Sequence, residues 1–197
     1  MTAAPARVRL VGLALAVLLA PHSASEPSPA PAPVESLSST ESVEEYRLKA
    51  AFLYNFANFT TWPKDAFVSE RSPLVFAVLG QDPFGKHLEN TLKDKHLNGR
   101  PLELVHFKQL DDLGACHLLF VSRSELKKID ELHERLEGKP VFTVSDIDRY
   151  AHEGGVARLG IEDQRPVMEI NTAAAKRAGL SISSQLLKLA RVIEDEE

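Results

Sequence analysis

The chain of 197 residues has one cysteine, Cys116, so it has no second thiol with which to close an internal disulfide. Its core must hold without a covalent staple. It has no apolar run of the ~20 residues that a membrane-spanning helix requires. Leu10 to Ala20 falls short, and no later segment is long and apolar enough. A basic surplus is also missing: 23 Lys and Arg stand against 28 Asp and Glu, for a net charge of −5. Nucleic acid and anionic lipid are therefore poor partners. Metal spacing is absent among His87, His96, His106, His133 and His152. Asp146 and Asp148 lack the flanking ligands and glycine of a calcium loop. Spacing alone assembles no Ser-His-Asp set and no carboxylate pair, so the sequence reads as non-enzymatic, with no cofactor.

Two near misses sharpen that exclusion. Gly80 to Lys86 (GQDPFGK) matches a phosphate loop as far as its lysine. His87 then stands where Ser or Thr must hold magnesium, Pro83 has no N–H to offer, and Asp82 brings negative charge into the cradle. A strand-to-helix turn, with Asp82 as cap and Pro83 near the first helical position, accounts for the same residues. Cys116 and His117 suggest a nucleophile and its base. As neighbours in one strand they point to opposite faces and cannot share a site.

What is present begins with Arg7 and Arg9, the apolar run Leu10 to Ala20, and the small residues Ser23, Ala24 and Ser25. That order is a secretory signal peptide, assigned to residues 1–25. Its removal takes two positive charges and no negative ones, moving the net charge from −5 to −7. Residues 26–42, rich in Pro, Ala and Ser, bury too little to offset their ordering cost and read as a disordered tether. The domain proper is expected over 43–197, with no membrane span after cleavage.

The stretch Leu48 to Pro63 (LKAAFLYNFANFTTWP) organises that domain. Leu48, Ala51, Phe52, Phe56 and Phe59 form one helical stripe, and Ala50, Leu53, Tyr54 and Ala57 a second beside it. A helix apolar on two sides needs cover on both. One side can lie on a sheet; the other needs a second helix, another copy of the chain, or a different partner. Leu53, Tyr54, Phe59 and Trp62 are the candidate partner-binding residues, since aromatic anchors dominate such contacts.

Four short apolar strands follow, at Pro73–Leu79, Pro101–Phe107, Cys116–Ser122 and Val141–Val144. Helical spacing lies between them at Phe84–Lys95 and at Glu125–Leu136, where Leu126, Ile129, Leu132 and Leu136 share a face. The alternation predicts a mostly parallel sheet with helices on both faces, a Rossmann-like three-layer α/β domain. Val156–Ile161 and Val167–Ile170, joined by four polar residues, predict an antiparallel hairpin at its edge. Asn171 should cap a short helix ended by Gly179, and Ser181 a last helix with Ile182, Leu186, Leu189 and Ile193 on one stripe.

In open parallel sheets, ligands sit beyond the carboxyl ends of the strands. Gly80, Asp82, Ser122, Ser124, Ser145 and Asp146 fall there and form a candidate ligand crevice. Helix caps explain the same residues without a ligand. A small-ligand receptor is thus one alternative function, and a hydrolase depending on Asp146 or His117 a weaker one.

LKAAFLYNFANFTTWP, VLGQDPFG, CHLLFVS, VFTVSD and EINTAAAKRAGLSISSQLLKLA, in that order, resemble the YfiR/HmsC-like family of exported bacterial proteins. The resemblance implies a small periplasmic α/β domain, commonly a homodimer. It also implies repression of a membrane diguanylate cyclase through binding of the cyclase's periplasmic part, lowering cyclic-di-GMP. Relatives often carry cysteine pairs; with Cys116 alone, control through an internal disulfide does not carry over.

Overall fold

Leu74 to Leu79 is apolar at every position, and it becomes an inner strand with helices over both faces. The structure, a computed structural model, describes residues 35–162 and 165–194, with side chains from residue 43 onward. The expected signal peptide, the tether up to residue 34, the hairpin tip at Asp163–Gln164 and the last three residues of the acidic tail lie outside the described residues.

In chain order the elements are α1 (Glu35–Asn58), β1 (Thr60–Thr61), β2 (Leu74–Leu79), α2 (Lys86–Leu92), β3 (His96–Leu97), β4 (Arg100–Phe107), β5 (Leu118–Val121), α3 (Ile129–Leu136) and β6 (Phe142–Ser145). There follow β7 (Ala157–Glu162), β8 (Arg165–Asn171), α4 (Thr172–Arg177), β9 (Ser181–Ile182), α5 (Ser184–Leu187) and β10 (Arg191–Ile193). The main sheet has eight strands in the order β10-β8-β7-β6-β5-β2-β4-β3. Its centre is parallel, with β2 between β4 and β5, and β6 between β5 and β7. β7 and β8 form the antiparallel hairpin, and β10 lies outside it, parallel to β8. This is a mixed α/β, three-layer arrangement.

Alternation along each strand divides the core in two. Phe76, Val78, Leu118, Phe120, Phe142 and Val144 face one way, against Leu53 and Phe56 of α1, Leu88 of α2, Ala174 and Ala175 of α4, and Leu186 of α5. Ala77, Leu79, Leu119 and Val121 face the other way, against Ile129 and Leu132 of α3. α1 runs antiparallel to the central strands. Tyr46, at its middle, packs edge-on to Phe84 beyond the carboxyl end of β2, and Phe56, near its end, stacks on Phe142 at the start of β6. Its buried stripe is Lys49, Ala50, Leu53, Phe56 and Ala57, while Arg47, Leu48, Ala51, Asn55 and Asn58 face outward.

Several local expectations give way to longer-range pairing. The continuous last helix does not form. Ser181 and Ile182 instead pair antiparallel with Thr61 and Thr60, Ser183 caps the four-residue α5, and Arg191–Ile193 enters the sheet beside β8. Two adjacent serines favour a cap over a helix interior, and Leu189, a member of the expected stripe, is 71 % exposed. The helix expected from Glu125 opens as a 3₁₀ turn over Arg123–Lys128 that buries Glu125 and leaves Leu126 exposed. α2 starts at Lys86, later than a cap at Asp82 would put it; Asp82 Oδ1 accepts from the Phe84 N–H and holds the preceding turn. α1 reaches back to Glu35, into the segment read as a tether. Asn171 does cap α4, its Oδ1 accepting from Ala174 N–H at 2.7 Å, and Gly179 ends that helix at φ +67°.

Candidate functional site

The carboxyl ends of β2, β5 and β6 meet under the middle of α1, and the side chains there are engaged with one another. Gly80 follows β2 at φ +88°, and a Cβ on it would lie 2.2 Å from Ser124 Oγ. That hydroxyl accepts from Gln81 N–H at 3.0 Å and donates to Glu125 Oε1 at 3.1 Å. Ser122 Oγ caps the 3₁₀ turn at Ser124 N–H. Ser145 Oγ donates to the Val121 carbonyl and accepts from Ile147 N–H. Asp82 sits apart from these, its second oxygen 3.1 Å from His106 Nε2.

Asp146 is the hub. Its Oδ2 accepts from Lys49 Nζ at 2.6 Å and from the Tyr46 hydroxyl at 2.8 Å. Oδ1 accepts from Arg123 Nε at 3.2 Å, and Arg123 Nη2 donates to the Asp146 carbonyl at 2.7 Å. Lys49 also pairs with Glu45, one turn earlier. Burial alone would raise the Asp146 carboxyl; Lys49, Tyr46 and Arg123 outweigh burial and hold it below the usual carboxylate range. The Tyr46 phenol is pushed up by burial and by its bond to that carboxylate. A carboxylate committed to three donors is neither a free base nor a nucleophile. The network instead ties α1 to the strand ends.

Sequence reasoning missed Lys49, Tyr46 and Arg123. The signal was a lone lysine spaced four residues before Leu53 and seven before Phe56, inside the buried stripe rather than beside it.

Cys116 and His117 precede β5, which starts at Leu118, rather than lying in it; Cys116 packs in the core on the α3 side, and His117 lies against Trp62 and Phe67. Burial pushes the Cys116 thiol up to about 12, which leaves no reactive thiolate. His117 Nδ1 accepts from Val75 N–H at 3.0 Å, and its Nε2 lies 3.1 Å from the Ala66 carbonyl, so it is the neutral Nε2–H tautomer, with both nitrogens satisfied.

The four candidate partner residues divide. Leu53 is 0 % exposed and Trp62 7 %, both within their own core. The Trp62 indole N–H donates to the His117 carbonyl at 3.2 Å. Neither side chain offers a partner a surface here, because Leu53 faces the sheet and Trp62 packs into the same core. Tyr54 and Phe59 pack against the core and are partly exposed; Tyr54 holds Lys95 Nζ 4.4 Å above its ring.

The outward flank of α1 is open. Glu44, Glu45, Arg47, Leu48 and Ala51, with Thr91 of α2 and Ile161 of β7, line a groove of about 780 Å³. Leu48 is 40 % exposed in it. Among the described residues, no helix is long and apolar enough to cross a membrane, and no group of His, Cys, Asp and Glu is placed to hold a metal.

A family model described as YfiR/HmsC-like matches residues 46–191, from within α1 to the first residue of β10. No curated protein matches the chain.

Proposed function

The chain belongs to the YfiR/HmsC-like family, known for periplasmic regulation of diguanylate cyclases, and from that premise we propose that this member represses a membrane-bound diguanylate cyclase by binding its periplasmic part. Cyclic-di-GMP signalling falls while the two are joined. The protein reaches the periplasm through a signal peptide over residues 1–25, acts as a binding protein without catalysis, and forms a homodimer.

The observation that supports this reading best is the open groove along α1, with Leu48 and Ala51 exposed between charged residues. The binding surface is then the outward flank of α1, with the exposed parts of Tyr54 and Phe59 at its margin, rather than Leu53 and Trp62. Repression requires tighter binding to the inactive cyclase than to the active one. A complete reversal of a two-state cyclase takes about 5.5 kcal/mol of such preference. The internal pairing of Ser124, Ser145 and Asp146 leaves the small-ligand reading with less to recommend it.

Cyclic-di-GMP in cells making the cyclase tests both levels of the reading. Loss of this chain should raise the nucleotide, and wild type, but not Leu48→Glu, should restore repression with the variant exported and folded. No rise on loss of the chain would reject repression. Full repression by Leu48→Glu would reject the α1 flank alone.

A further inference from the structure

His117 lies at the opposite end of the sheet from Asp146, and its ring joins the loop 62–73 to the body of the domain. Nδ1 takes the Val75 N–H of β2, and Nε2–H is given to Ala66 in the loop. Phe67, the next loop residue, stacks on the imidazole with centroids 4.4 Å apart and planes at 15°. The guanidinium of Arg100 lies 3.7 Å from the centre of that phenyl ring, and its Nη1 donates to the carbonyls of Ser69 and Ser72. The loop is thus held by His117 and Arg100, with Phe67 packed between them. Val68 beside it is fully exposed.

Each ring bond has a defined protonation requirement. A proton added at Nδ1 sets two N–H donors against each other at a separation of 3.0 Å, so the Val75 bond is lost. It also places a second cation against Phe67, which already carries Arg100. Arg100 is also the charge that acts on the ring, and its sign disfavours a second cation there. Lys64 and Asp65, which precede Ala66 in the turn, and Glu70 and Arg71 further along the loop are exposed, β2 carries no titratable side chain, and Cys116 packs in the core on the α3 side.

We propose that His117 is a proton-operated latch: uncharged, it clips the loop 62–73 to the sheet, and protonated at Nδ1 it lets that loop open while the sheet stays folded. Opening frees Phe67 to join Val68, which is already exposed, in a larger apolar tip. The latch stands independently of the cyclase assignment.

Burial lowers the imidazole from its ordinary 6.5, Arg100 adds to that, and the bond to Ala66 opposes it. In the open loop the ring returns to ordinary behaviour. The opening equilibrium therefore rises up to about tenfold per pH unit below about 6.5, until the closed-state ring itself protonates.

Hydrogen exchange of the full chain at pH 7.5 and 5.5, corrected for intrinsic rates, tests this. The amides of Phe67 and Val75 should lose about tenfold in protection while those of β5 and β6 keep theirs. Emission of Trp62, the one tryptophan in the chain, should shift over the same range. Both changes should vanish in His117→Gln. Unchanged loop protection, the same change in His117→Gln, or loss of β5 and β6 protection in step with the loop would each overturn the latch. If His117→Gln does not fold, imidazole nitrogen spectra of the wild type decide: Nδ1 must be an unprotonated acceptor at pH 7.5 and gain its proton as the loop opens. A ring that stays neutral while the loop opens would also overturn it.

Discussion

Lys49 and Asp146, 97 residues apart in sequence, meet with Nζ 2.6 Å from Oδ2 and both side chains only 2 % exposed. The pair joins a helix to the far end of the central sheet. It sits where comparable folds hold ligands, so this chain closes that end with its own side chains.

Lys49→Met should cost about 3–5 kcal/mol in urea unfolding, because it leaves a buried carboxylate without its nearest cation. Lys49→Met combined with Asp146→Leu should recover much of the loss. A double variant no better than the single one would show that the two side chains act separately.

The two leucines of α1 should behave differently. Leu53→Ala removes fully buried packing and should cost about 2–5 kcal/mol. Leu48→Ala, on the open flank, should stay within about 0.5 kcal/mol of wild type. Thermal and urea midpoints of the two variants measure the contrast, and equal losses would mean that Leu48 is covered in solution.

Stability should fall with acid in two steps. His117 and His133 are both held below the ordinary 6.5, chiefly by burial, so the unfolded chain binds more protons than the folded one just below that value. Their contribution is complete above about pH 7 and declines as pH drops through about 6.5. Asp146 acts lower: its carboxyl is held below 3.8, so its contribution is lost as pH falls from there through its folded value. Urea midpoints measured from pH 8 to 3 should show a shallow decline and then a second one, and His133→Gln should flatten only the first.

Two glycines separate strain from crowding. Gly138 has φ +68° with nothing near its missing side chain, so Gly138→Ala should cost about 1 kcal/mol. Gly80 has φ +88° and Ser124 Oγ in the way, so Gly80→Ala should cost clearly more. Adding Ser124→Ala should recover part of the excess, since Glu125 Cγ and Oε1 also lie 2.9 Å from the added Cβ, and unfolding midpoints of the three variants test the order.

The parts of the fold legible in the sequence were those written in local pattern. β2, β5 and β6 are continuous apolar runs because both faces are covered, and Asn171 announced α4 because its side chain caps the helix it precedes. Pairings between distant segments left no such mark. Ser181 and Ile182 look like the start of a helix until Thr60 and Thr61 lie beside them. The aromatic surplus of Leu48 to Pro63 suggested an interface, yet Phe56 stacks on Phe142, and Trp62 lies edge-on to the ring of His117. Of the strand-end residues, Gly80 and Ser124 lie side by side and Asp146 forms the hub, while Asp82 sits apart. The lysine that closes that hub was missed, since a single Lys in an apolar stripe does not name its distant carboxylate.

The two-residue clasp of β1 with β9 has a temporal consequence. Thr60 and Thr61 close the opening helix only when Ser181 and Ile182 arrive, more than a hundred residues later along the chain. Such a polypeptide cannot lock its first segment while its later part is still being made, so its final shape is set late, by nearly the whole molecule at once.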